Sequence, residues 1–128
     1  MAAFGQSPSG PETPRIVILD IQETDSRLEA TLYADETLLI RVAGNPTTGY
    51  SWEITGITDP TILVPQGDIE YEPANPGLLW SPGTFLIRVS GVREGQATLE
   101  LTYRRPWEKN KPALRTVSID IHVLKSAE

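Results

Sequence analysis

Four stretches of this chain alternate apolar and polar residues one by one. In Thr37–Ala43 the apolar positions are Leu38, Ile40 and Val42, and in Thr84–Ser90 they are Phe85, Ile87 and Val89. Gln96–Tyr103 repeats the pattern through Ala97, Leu99, Leu101 and Tyr103, and Thr116–Val123 through Val117, Ile119, Ile121 and Val123. A period of two marks a strand with one face on a core and the other in water. Such strands must be covered by a second sheet or closed into a barrel. Arg15–Ile21 is a β-branched run, and Ala30–Tyr33, Ser51–Ile54 and Ile69–Glu72 read as shorter strands. Seven to eight strands with no helical period predict an all-β domain, an antiparallel sandwich or barrel. No internal repeat is visible.

With 128 residues the chain is large enough to bury one core, and its ten glycines and eleven prolines punctuate many short elements. It has no cysteine, which excludes disulfides, thiolate metal sites and a cysteine nucleophile. A net charge of −6 argues against nucleic acid as a partner. No apolar run reaches the roughly 18 residues of a membrane span. Residues 1–14 are small, polar and proline-rich and are expected to form a flexible leader. The domain is expected over 15–125, with a short tail at 126–128. A monomer is expected.

Signatures of enzymes are sparse. His122, the only histidine, falls opposite Ile121 and Val123 in the alternation and should face outward as an ordinary surface residue. A second histidine or a cysteine would be needed for a triad of the usual kind. There is no phosphate loop and no metal-ligand spacing, so neither cofactor nor metal is expected. Asp35-Glu36 reads as a solvated turn.

Three irregular stretches lie between the well-patterned strands. The first, Asn45-Pro46-Thr47-Thr48-Gly49-Tyr50, is stiffened by Pro46 and freed at Gly49, while its threonine hydroxyls can bond backbone. It resembles a glycosylation sequon, but Pro46 in the middle position blocks that use. A turn that only reverses the chain could be shorter, yet Tyr50 and Trp52 could equally pack a core behind a well-made turn. The second, Pro73–Gly83, carries three prolines and two glycines and includes Leu79-Trp80-Ser81-Pro82-Gly83. The third runs from Arg104 to Leu114. Its part from Arg104 to Lys111 holds four basic residues and one acidic, net +3, so the remainder of the −6 chain carries −9. Trp and Arg, as in Arg105-Pro106-Trp107, are the residues most enriched at interface hot spots.

Asn45-Pro46-Thr47-Thr48-Gly49-Tyr50 together with Tyr103-x-Arg105-Pro106-Trp107 resembles the signature loops of chagasin-type inhibitors of papain-like cysteine proteases. The pair occurs in the same order and spacing, and the resemblance spans about Ile16 to Val123. It implies an immunoglobulin-like fold whose three loops form a wedge that enters a protease cleft. The protease-binding residues it implies are Asn45 to Tyr50, Leu79 to Gly83 and Arg105 to Trp107. The middle loop departs from the family's Gly-x-Gly-Gly: after Leu79 come Trp80, Ser81 and Pro82, and only Gly83 survives. Pro82 lacks an N–H but forces Ser81 to be extended, which suits insertion into a cleft. Members of the family are commonly exported, although this sequence shows no export signal. The competing reading is a structural or adhesive immunoglobulin-like module of a cell envelope, for which the three loops only finish the end of a sandwich.

Overall fold

The structure, a computed structural model, describes residues 15–75, 77 and 82–125. The expected leader at 1–14 and the tail at 126–128 lie outside the described residues, as do Leu79, Trp80 and Ser81 of the middle loop.

Nine strands form in chain order: β1 (Ile16–Ile21), β2 (Arg27–Tyr33), β3 (Thr37–Gly44), β4 (Ser51–Ile57), β5 (Leu63–Pro65), β6 (Glu70–Pro73), β7 (Gly83–Gly91), β8 (Gly95–Arg104) and β9 (Arg115–Leu124). They make two sheets. One has the order β1-β3-β7-β5, with β6 also on β7, and the other the order β2-β9-β8-β4. β5 and β6 share the free edge of β7, β5 beside Val89–Gly91 and β6 beside Gly83–Leu86.

The alternating residues do what their period requires. Leu38, Ile40, Val42, Ile87, Val89, Leu99, Leu101, Val117, Ile119 and Ile121 are all buried between the sheets. Each removes on the order of 2 kcal/mol of apolar surface from water, so sliding any of these strands by one residue would invert its faces. His122 lies half-buried on the outward face of β9, opposite its buried neighbours.

Three details differ from the sequence expectation. β5 forms inside the stretch Gly56–Gly67, which reads as loop; three residues are too few to show a period. β2 begins at Arg27 and β4 runs on to Ile57 past a register shift between Ile54 and Gly56. Two edge pairings, β1 with β3 and β2 with β9, are parallel, while the other five are antiparallel. Alternation reports burial and is silent on strand direction. Here β1 and β2 are not a hairpin: the turn between them crosses from one sheet to the other, and the next turn crosses back to β3.

Register fixes which loops share an end. β3 ends at Gly44, which pairs with Gly83 at the start of β7, and Gly83 also pairs with Pro73 at the end of β6. β4 starts at Ser51, which pairs with Arg104 at the end of β8, and Tyr103 pairs with Arg115 at the start of β9. The loops 45–50, 74–82 and 105–114 therefore leave the same end of the sandwich. The parallel pairing Ile21–Val42 brings the β1–β2 turn, 22–26, to that end too.

Candidate functional site

The first loop is a single 3-10 turn over Pro46–Thr48 with its hydrogen bonds closed internally. Asn45 caps it: its side-chain oxygen accepts from the Thr47 N–H at 3.1 Å and from the Thr47 hydroxyl at 2.6 Å. The Thr48 hydroxyl donates to the Asn45 carbonyl at 2.7 Å, and the Gly49 N–H to the Pro46 carbonyl at 2.9 Å. Both threonine protons are thus used inside the loop. What the exposed Thr47 and Thr48 offer a partner is acceptor lone pairs and methyl groups on a stiff frame. Gly49 turns the chain at φ +89°, a conformation that glycine adopts without strain.

An aromatic column anchors this tip. Trp52 is buried, its indole N–H donating to the Ala43 carbonyl at 3.1 Å. Tyr103 stacks on Trp52 at 5.0 Å and on Tyr50 at 5.3 Å, and its hydroxyl accepts from the Asn45 N–H at 2.9 Å. One β8 residue therefore holds both ends of the first loop. Tyr50 serves as the platform for the loop and is half-buried.

The third loop leans on the first. The Arg105 guanidinium lies 4.7 Å over the Tyr50 ring and its Nε–H donates to the Thr48 carbonyl at 3.0 Å. It also pairs with Glu108 at 3.4 Å, and Glu108 in turn pairs with Lys111 at 3.8 Å. Arg105 is therefore a brace between loops. Part of the basic charge of this stretch is neutralised at once, Arg104 pairing with Glu53 at 3.5 Å. The Trp107 indole crosses Gly49: a Cβ there would stand 2.6 Å from Trp107 Cη2. Trp107 is nonetheless 67% exposed, an aromatic ring held in place with most of its surface in water.

Of the middle loop the structure describes both roots. The Ala74 N–H donates to the Pro82 carbonyl at 3.2 Å and closes the loop. Gly83 is buried as the first residue of β7, and a Cβ there would meet the Tyr71 hydroxyl at 2.6 Å. The one glycine that survives from the family pattern is required by packing behind the edge. The structure thus brings Asn45–Tyr50, Pro82, Gly83 and Arg105–Trp107 to one end, with Gly83, Tyr50 and Arg105 built into its support. Sequence reading named Tyr103 as a strand position and as part of a motif, without a role in holding the first loop, and gave no role to Leu114, Arg115 or the β1–β2 turn. The Tyr-x-Arg-Pro-Trp spacing could have flagged Tyr103, whereas nothing in the sequence signals the parallel pairing that brings the turn here.

Among the described residues no group of three or more His, Asp or Glu side chains could hold a metal ion. The edge offers contact surface, aromatic and hydroxyl-rich, on backbone that is already ordered.

A family model, "Chagasin family peptidase inhibitor I42", matches residues 31–121. The chain is 34% identical over 100 residues to amoebiasin-2 of Entamoeba histolytica, covering 77% of this chain and 80% of that protein. It is 33% identical over 79 residues to chagasin of Trypanosoma cruzi, covering 60% of this chain and 72% of chagasin. Among solved structures, a cysteine protease inhibitor from Entamoeba histolytica superposes with a TM-score of 0.66 at 28% identity, covering 89% of this chain and 99% of that one. With the family model spanning residues 31–121 and amoebiasin-2 34% identical over most of the chain, the chain belongs to the chagasin family of peptidase inhibitors.

Proposed function

We propose that this protein, a chagasin-family cysteine protease inhibitor, blocks papain-like enzymes reversibly by seating the three-loop edge in the active-site cleft. The observation that carries this reading is the exposed Trp107 ring locked across Gly49 of the first loop. An aromatic side chain already resting against the first loop has less freedom to lose on binding, and ordering is a main cost of association. Thr47 and Thr48 form the tip that approaches the catalytic centre, Trp107 covers apolar surface beside the cleft, and Arg105 keeps the two loops in register. Leu79, Trp80 and Ser81 supply the middle contact, with Trp80 filling an apolar recess where family relatives bring glycine backbone close. An interface of standard size, about 1,600 Å², reaches nanomolar affinity when its loops are pre-ordered.

The inhibitor presents no bond in attack geometry, which requires a carbonyl about 3–3.5 Å from the nucleophile and aligned with it. The test is titration of papain activity with this protein, followed by long incubation and mass spectrometry. Stoichiometric loss of activity with an intact chain is expected; steady cleavage between Trp80 and Gly83 would make it a substrate. Replacing Trp107 by Ala should raise the inhibition constant at least about tenfold, since a buried aromatic anchor carries about 2–4 kcal/mol. Its circular dichroism should not change, because the ring packs on the outside of the sandwich. The envelope-module alternative finds no support in this edge, since a purely structural end has no use for an exposed, braced tryptophan.

A further inference from the structure

Beside the wedge, on the flank toward the β1–β2 turn, lies an apolar recess. Its lining includes Ala43, Trp52, Pro82 and Leu114, together with Glu23 and Arg115. Leu114 is 64% exposed, the second large apolar residue of the third loop left in water besides Trp107. It is not loose: its N–H donates to the Tyr103 carbonyl at 2.9 Å, one residue before β9 begins. The Trp52 wall is equally fixed, between Tyr103 and the Arg115 guanidinium 5.6 Å from its ring.

Arg115 does not make this a polar site. Its Nη2 donates to the Gln22 and Asp25 carbonyls, at 2.5 and 2.8 Å, so it tethers the β1–β2 turn to the loop-bearing end. That turn is closed in itself, the Asp25 N–H donating to the Gln22 carbonyl at 3.1 Å and the Asp25 carboxylate accepting from the Gln22 N–H at 2.7 Å. The recess thus has an apolar wall of Ala43, Trp52, Pro82 and Leu114 on ordered backbone, with the Glu23 carboxylate at its lining, and it shares Asn45 and Pro82 with the roots of the first and middle loops. Its volume, about 320 Å³, is at the small end of ligand sites, which run from about 300 to 1,000 Å³, and suits one side chain rather than a chain segment.

From this continuity we infer that the recess is a fourth contact, which takes one apolar side chain projecting from the rim of the bound protease. The inference rests on the inhibitor reading. It makes Leu114 a specificity-determining residue: enzymes with an apolar side chain at that rim position gain the contact, and those with an acidic one must bring it against Leu114 and beside the Glu23 carboxylate.

The experiment compares the full chain with Leu114→Asp, Leu114→Asn and Leu114→Met, measuring inhibition constants and dissociation rates with papain, and melting temperatures of the free proteins. Leu114 is exposed, so all three are expected to melt like the parent chain. Asp and Asn should each weaken inhibition at least about fivefold, chiefly through faster dissociation, while Met, similar in size and apolar, stays within about twofold. If both polar variants inhibit within about twofold of the parent while Trp107→Ala is impaired, the recess is overturned and the three-loop reading stands. If the parent chain leaves papain active, the inhibitor reading fails and this inference with it.

Discussion

At Gly49 the chain turns with φ +89°, and the indole of Trp107 stands where a side chain would be. Two separate penalties therefore attach to Gly49→Ala. The left-handed conformation costs an L-residue roughly 1–2 kcal/mol, and the methyl group forces the indole away. A double-mutant cycle separates them. Gly49→Ala should lower the melting temperature by several degrees and weaken papain inhibition at least as much as Trp107→Ala. In the Trp107→Ala background the same change should cost inhibition far less, because there is no ring left to displace. Additive losses in the two variants would mean that the contact between Gly49 and Trp107 does not position the ring. Tyr103 illustrates the same economy, one phenol serving as stacking partner on two sides and as acceptor for Asn45.

The elements divide into those whose signal is local and those whose placement is not. β3, β7, β8 and β9 were legible because burial on one face imprints a period of two on the residues themselves. Tip residues such as Asn45–Gly49 were legible because proline, threonine and glycine have narrow backbone uses. β5 was not, since Leu63–Pro65 is too short to show a period, and the parallel edges were not, since a strand pattern carries no arrow. The sequence reading makes Arg105 a hydrogen-bond donor to a partner; the bracing contacts it makes with Tyr50, Thr48 and Glu108 were hidden, because nothing local in a surface arginine signals them. That assignment has a readout of its own. Arg105→Met should weaken inhibition and speed amide exchange at Gly49 and Tyr50, because the first loop loses its outer support. Arg105→Lys should not restore either, since an ammonium cannot stack on Tyr50 while reaching the Thr48 carbonyl. Loss of inhibition with unchanged exchange would instead make Arg105 a direct contact.

For the whole molecule, the acidic body away from the wedge sets the response to pH. Three carboxyls are held below the ordinary aspartate range: Asp20 by the Arg41 guanidinium, Asp59 by the Thr61 hydroxyl and N–H with Arg93 behind them, and Asp120 by the Thr98 hydroxyl first and Arg27 second. A group whose folded value is depressed stabilises the fold above its unfolded value, about 3.9, and loses that contribution as pH falls through the folded value. Between pH 7 and pH 5 all three stay ionised in both states and contribute no slope. The melting temperature should therefore hold through this range as far as these groups decide it, and fall once the pH drops below about 4. Asp20 is exposed, while Asp59 and Asp120 are partly buried, Asp120 the more so, so the Asp20 contribution is small and the most screened by salt. Thermal melts followed by circular dichroism from pH 7 to pH 2.5 check this, with Asp20→Asn and Asp120→Asn expected to flatten the acid limb. An acid limb of unchanged steepness in both variants would mean that other groups drive acid unfolding. Because none of the three aspartates lies in the first or third loop, both variants should inhibit papain as the parent does at pH 6, which separates the stability of the scaffold from the fit of its edge.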